Sequence, residues 1–165
     1  FHTEDSIGGL VRLINMDVDV FLISSTVLSV LAQRLLRRVC PACKMPHKIS
    51  PAELRILGYS PKDIPNANFQ KGFGCGECAY TGYQGRLAVH EMLVLNEPVR
   101  DAILEKKTSY QIRNISIEST GLVTLMETGI AIAATGATTI EEVLRCLPRL
   151  QKPRPLPLLQ NFLGL

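Results

Sequence analysis

Residues 37–44 read RRVCPACK, and residues 75–78 read CGEC. Each stretch carries a C-x2-C pair, and 31 residues lie between Cys43 and Cys75. A C-x2-C turn can offer two sulfurs to one ion. Two such turns supply the four thiolates that a tetrahedral Zn²⁺ takes at about 2.3 Å. The site expected from Cys40, Cys43, Cys75 and Cys78 has no open position and is therefore structural. Two readings compete with it. Disulfides need an oxidising compartment, and no secretory signal is visible. A thioredoxin-like pair needs a strand before it and a helix that starts at the motif, whereas here a helix is expected before the first pair. A nucleophilic pairing of Cys75 with His90 has no supporting motif. His47 and His90 are expected as surface or strand residues, because four cysteines already satisfy a metal. The fifth cysteine, Cys146, is expected as an inert thiol among apolar residues of the last helix.

Residues 40–84 around these pairs are rich in Pro, Gly, Cys and Asn. A stretch this short with little aliphatic periodicity cannot bury enough area to offset its chain entropy. Structural zinc supplies roughly 10–16 kcal/mol of apparent binding free energy in small peptides, enough to hold such a module. Within it, Ser50-Pro51-Ala52-Glu53 is a capping box that predicts a short helix ending at Gly58. FQKGFGCGEC (69–78) predicts short strands and tight turns.

The flanks read as helical. Asp5 or Ser6 caps a helix over 6–16, and a longer helix is predicted over 20–38, with Arg34, Arg37 and Arg38 at its dipole-negative end. RLAVHEMLVL (86–95) predicts a strand. Helices are expected over 97–107, 109–119 and 122–134, and another opens at the capping box Thr139–Glu142. Arg86 is expected in a structural ion pair. The last 18 residues contain four prolines and are expected to be extended or disordered until they meet a partner.

The 165 residues are 46% hydrophobic and lack tryptophan, which predicts an aliphatic core. Beyond Pro148 lie Arg149, Lys152 and Arg154 with no acid among them; without these three cations, 15 basic residues face 15 acidic ones. A balanced body argues against a nucleic-acid surface, which needs clustered cation. No stretch reaches the roughly 20 apolar residues that cross a bilayer. The chain enters polar, motif-like sequence directly at Phe1 and reads as a piece of a longer protein.

Four stretches taken in order, FHTEDSIGGLVRLINMDVD, LAQRLLRRVCPACK, CGECAYTGYQGRLAVHEML and GATTIEEVLR, resemble the C-terminal part of the ATPases that drive type II secretion and type IV pilus assembly. The resemblance covers most of residues 1–147. It implies a RecA-like P-loop α/β parent fold, assembly into a homohexamer, and Cys40, Cys43, Cys75 and Cys78 as ligands of a tetracysteine zinc subdomain. It also implies that His2 belongs to a His box near the nucleotide γ-phosphate. Implied partners are neighbouring subunits and an inner-membrane platform or secretion-system protein, at the cytoplasmic face of the bacterial inner membrane. The chain contains no G-x4-G-K-[ST] phosphate loop, so ATP and Mg²⁺ belong to the full-length protein and the fragment is expected to be inactive alone. The proline-rich tail resembles nothing in the family.

The expected organisation is residues 1–39 as the edge of the ATPase core, 40–84 as the zinc subdomain, 85–147 as a strand with C-terminal helices, and 148–165 as the tail. The fragment itself is expected to be mostly α-helical with a loop-rich zinc module. The competing class is a free-standing zinc-ribbon binding module with nucleic acid as a candidate ligand, which would need a basic face and exposed aromatics.

Overall fold

A computed structural model describes residues 3–165. The chain divides into two compact units, residues 1–33 with 90–124, and residues 34–89 with 125–165. This grouping does not follow the four consecutive segments expected from the sequence. Long-range strand pairing, not chain order, decides which segments pack together.

In the first unit, α1 (Ser6–Ile14) starts at Asp5, whose carboxylate accepts from the Gly8 amide at 2.7 Å. The same carboxylate pairs with Arg113 of α5 (Ser109–Thr120). Beside it, the buried Glu91 accepts from the Ser6 amide at 3.0 Å and from the Ser6 hydroxyl. Two buried acids thus tie the start of α1 to a strand and to a distant helix. Asp19 caps α2 (Val20–Thr26). Asn96 caps α4 (Glu97–Leu104), and Gly121 closes α5 in the left-handed conformation. Ile7, Leu10, Ile23, Leu93, Val99, Ile103 and Ile112 form the aliphatic core.

The helix predicted over 20–38 is not one helix. It stops at Thr26, Val27 is extended, and residues 29–39 form the strand β1 (Ser29–Val39). Its partner is β4 (Tyr83–Val94). The Leu95 amide donates to Leu28 and the Cys40 amide to Gly82, so the partners run antiparallel. The reason for the error is visible in the sequence. Ala32, Leu36 and Val39 are the buried positions, spaced like a helix face, in a run of Leu, Gln and Arg with good helix propensity. Pairing with β4 overrides that local preference. Arg34, Arg37 and Arg38 therefore stand on a strand, not at a helix end.

In the second unit, β2 (Lys44–Pro46) pairs antiparallel with β3 (Gln70–Gly72), Lys44 opposite Gly72 and Pro46 opposite Gln70. Between them lies α3 (Pro51–Leu57). Ser50 and Glu53 close the expected capping box, and Gly58 ends the helix at φ 73°. The helix α6 (Leu125–Ala134) is buried along nearly its whole length. It packs with α7 (Ile140–Cys146) and α8 (Leu156–Leu163). The chain, expected to be mostly α-helical, is thus a mixture of helices and two small sheets.

The tail is a second correction. Residues 156–163 form a helix with Leu156 and Leu159 fully buried. Prolines 153, 155 and 157 suppress helix only up to its first turn, where proline is tolerated. Among the described residues, no single helix is long and apolar enough to cross a membrane.

Candidate metal centre

The four predicted cysteines converge. Cys40 follows directly on β1, and Cys43 closes the turn that leads into β2. Cys75 precedes a short 3-10 turn, Gly76–Cys78, in which the Cys78 amide donates to the Cys75 carbonyl at 3.2 Å. Ala79 and Tyr80 both take positive φ, which folds the chain back after the second pair. The amide of Tyr80 then also reaches the Cys75 carbonyl, at 2.9 Å. The two loops are joined by backbone hydrogen bonds from Phe73 to Cys43 and from Cys40 to Gly82. Gly72 and Gly82 touch backbone to backbone: a Cβ on either would overlap the other's carbonyl oxygen. The glycines at these two positions let the loops approach closely enough to share one site.

All four Sγ atoms lie within 4.8 Å of one another. Sγ separations are 3.9 Å for Cys40–Cys75, 3.9 Å for Cys43–Cys78 and 3.8 Å for Cys75–Cys78. A regular tetrahedron with metal–sulfur bonds of about 2.3 Å has edges of about 3.8 Å. A disulfide would instead bring two sulfurs to about 2.05 Å. All five cysteines are free. The donor set and its spacing fit one tetrahedral, thiophilic ion, and these four residues can hold it. The first pair follows a strand, as a redox pair would, and not the helix expected before it. No helix begins at the motif, however, and turn and β2 follow it.

The sulfurs are not equivalent. Burial pushes both Cys43 and Cys78 up. At Cys78, amides of Cys75 and Gly82 point at the sulfur from 3.2 and 3.3 Å and outweigh burial, bringing it down to about 6. At Cys43, burial and the three neighbouring thiols hold it up at about 11. A cation at the centre favours thiolate at every position.

Beneath the centre sits a charged hub that the sequence reading missed. Thr139 caps α7 as expected, through the Glu142 amide at 3.0 Å. Glu142 does not complete a capping box. Its buried carboxylate accepts from the Arg37 amide at 3.0 Å, from the Arg37 guanidinium at 3.0 and 2.7 Å, and from Arg145 at 2.9 and 2.7 Å. Burial pushes this acid up, but the two guanidinium groups and the amide prevail and hold it at about 2. Arg37 also stacks on the Tyr83 ring, 4.0 Å from its centroid, and Tyr83 shares a 2.8 Å hydrogen bond with Thr139. The hub therefore clamps the strand ends that carry Cys40 and precede Gln84 onto α7. The Glu142–Arg145 pair at i, i+3 was the one local signal, and nothing local links Arg37 to Glu142, 105 residues away.

Other predicted residues fall elsewhere. His2 lies outside the described residues. His90 faces Gln33 across the strand pair at 3.1 Å, and His47 bonds through its amide to Phe69, so neither joins the sulfur cluster. Cys146 is a part-buried thiol on α7, 3.6 Å from Glu142, and burial raises its pKa. Arg86 is exposed and makes no ion pair among the described residues, contrary to expectation. Arg86 stands on β4, in the exposed stretch at its start.

The family profile described as "Type II/IV secretion system protein" matches residues 1–145. The chain belongs to this family. The family member is 45% identical over 143 residues to the type IV pilus assembly ATPase PilB of Thermus thermophilus, covering 87% of the chain and 16% of that protein. It is 38% identical over 144 residues to the type II secretion system protein E of Pseudomonas aeruginosa, covering 87% of the chain and 28% of that protein. It is 33% identical over 144 residues to the PilB of Myxococcus xanthus, where it covers 25%. The chain thus spans less than a third of the length of these relatives.

Proposed function

We propose that this chain is the C-terminal, zinc-stabilised part of a hexameric ATPase that powers type II secretion or type IV pilus assembly. The observation that carries the reading is the cluster of four cysteine sulfurs, all within 4.8 Å of one another, in a chain of the secretion family. Zinc suits it because a d¹⁰ ion accepts four thiolates in a closed tetrahedron and does no redox chemistry. The role is structural: the ion joins two loops that have little apolar area of their own.

ATP hydrolysis belongs to the complete protein. The 165 residues contain no phosphate loop, so the nucleotide and Mg²⁺ are held by other parts of it. His2 contacts the γ-phosphate there. The motor works at the cytoplasmic face of the inner membrane, against neighbouring subunits and a membrane-embedded platform protein. The chain by itself binds zinc and makes protein contacts.

Metal analysis of protein purified without added zinc tests the first half of this reading. One zinc per chain is expected. A strong chelator with reductant should release it and abolish hydrogen-exchange protection in residues 40–48 and 70–84. Metal-free material in which those segments stay protected would refute it. The second half is tested in the full-length protein, where Cys40→Ser and His2→Ala should each reduce ATP turnover, the first with zinc loss and the second without.

A further inference from the structure

Residues 148–165 lie beyond the stretch matched by the family, which ends at residue 145. They are nonetheless seated at four points on their own unit. Arg154 places its guanidinium on the carboxylate of Glu127, with nitrogens at 2.8 Å from each oxygen, and its amide donates to the same acid at 3.0 Å. Glu127, on α6, is fully buried. The hydroxyl of Tyr59 donates to the Arg154 carbonyl, and Tyr59 itself is buried just after α3. Leu156 and Leu159, fully buried, are the inner face of α8 against α6. Pro153 is buried too, where Ile56, Leu57 and Met126 form a narrow cleft with the connector.

This is the grammar of a peptide in a groove. A charged anchor enters a buried acid, a backbone carbonyl is read by a tyrosine, and one helix face supplies apolar contacts at i and i+3. The connector between Cys146 and Leu156 has no regular secondary structure, and Arg149, Leu150 and Lys152 in it are exposed. Leu147, at the start of the connector, is buried against Gly129 of α6, so the part able to leave begins beyond it, in the exposed stretch from Arg149.

We propose that the surface built by α3, Tyr59 and α6 is a peptide-docking site, and that residues 150–163 are its reversible ligand. The site recognises an arginine followed two and five positions later by leucines at the start of a helix. Because the ligand is tethered, its local concentration is high and it excludes competing segments of the same kind.

The test keeps the whole chain. A specific protease site is inserted between Leu150 and Gln151, and the protein is cut. Binding of a fluorescent peptide covering residues 150–165 is then followed by anisotropy, with circular dichroism and metal content as checks on folding. The cut protein should take up the peptide saturably and release it to unlabelled peptide. The uncut protein should bind at least about tenfold more weakly, because its own tail holds the site. Peptides carrying Arg154→Glu or Leu159→Asp should bind at least about thirtyfold more weakly than the natural sequence. A folded cut protein that takes up no peptide would overturn the proposal. Equal binding of the Arg154→Glu peptide would also overturn it. So would unfolding on cutting, which would make the tail an inseparable part of the core.

Discussion

Replacing Glu142 by Gln removes one charge and keeps the shape of the side chain. The carboxylate is wholly buried and receives five hydrogen bonds from Arg37 and Arg145. Its pKa falls from the ordinary 4.5 to about 2. At 1.36 kcal/mol for each tenfold step, that difference caps the stabilisation at about 3 kcal/mol. Both guanidinium groups are roughly half exposed, and solvent screening brings the expected value to about 2 kcal/mol. The sign follows from the direction of the shift. The folded state binds this proton less readily than the unfolded chain, so the contribution is complete above the unfolded value near 4.5. It is lost as pH falls from there through about 2.

The readout is native-state hydrogen exchange at the Arg37 and Val39 amides, which bond to Glu142 and to the Ala137 carbonyl. At pH 7, Glu142→Gln should lower their opening free energy by about 2 kcal/mol. Denaturant unfolding of the two proteins should differ by a similar amount at pH 7, and the gap should narrow steadily below pH 4.5. Acid release of a thiolate-bound metal weakens both proteins alike, so the difference between them carries the argument. A gap below about 0.5 kcal/mol at pH 7 would refute the hub as a stabilising element. A gap that stays constant down to pH 3 would refute the charge as its cause.

Three further outcomes follow from other contacts. Gly82→Ala places a side chain against the Gly72 carbonyl at a residue with φ 78°, so the protein should lose zinc to a chelator at least about tenfold faster than the parent, measured with a zinc indicator dye. Arg113→Met leaves the buried Asp5 carboxylate without its guanidinium and should cost about 3 kcal/mol in urea unfolding; a loss under 1 kcal/mol would show that Asp5 is satisfied without it. Tyr59→Phe removes the hydrogen bond to the Arg154 carbonyl and should cost about 1 kcal/mol, with faster amide exchange confined to the tail and the end of α3.

What was legible in the chain is what is encoded locally. Ser50 with Glu53 and Gly58 bounds α3 as read, Asn96 starts α4, and Gly121 ends α5, because each cap depends on residues within one turn of it. The cysteine knuckles are equally local, since each C-x2-C turn carries its own geometry. The strand β1 was misread because its identity lies in β4, some 55 residues away, while its own residues prefer a helix. The tail was misread for a related reason. Its prolines are a local signal for extended chain, but Glu127 and Tyr59, which seat Arg154, lie outside any window in which the tail can be judged alone.

The same distinction explains how the metal centre is assembled. Each knuckle could form by itself, but two knuckles make a site only when something sets their separation. Three constraints do so, none of them between neighbours in sequence. The β1–β4 pairing places Cys40 beside Gly82. The β2–β3 pairing places the chain after Cys43 beside the chain before Cys75. The contact of Gly72 with Gly82 then brings the two pairings together without a side chain between them. The strand misread as a helix is therefore the element that positions the first ligand. A helix in its place would leave the Cys40 amide without its bond to Gly82 and the Arg37 side chain without its fixed approach to Glu142. Long-range pairing sets the distance, and a bound ion then adds its own free energy to four sulfurs already gathered within 4.8 Å of one another. Losing either should loosen the same residues, which is why chelation and Gly82→Ala are expected to expose one common set of amides, 40–48 and 70–84.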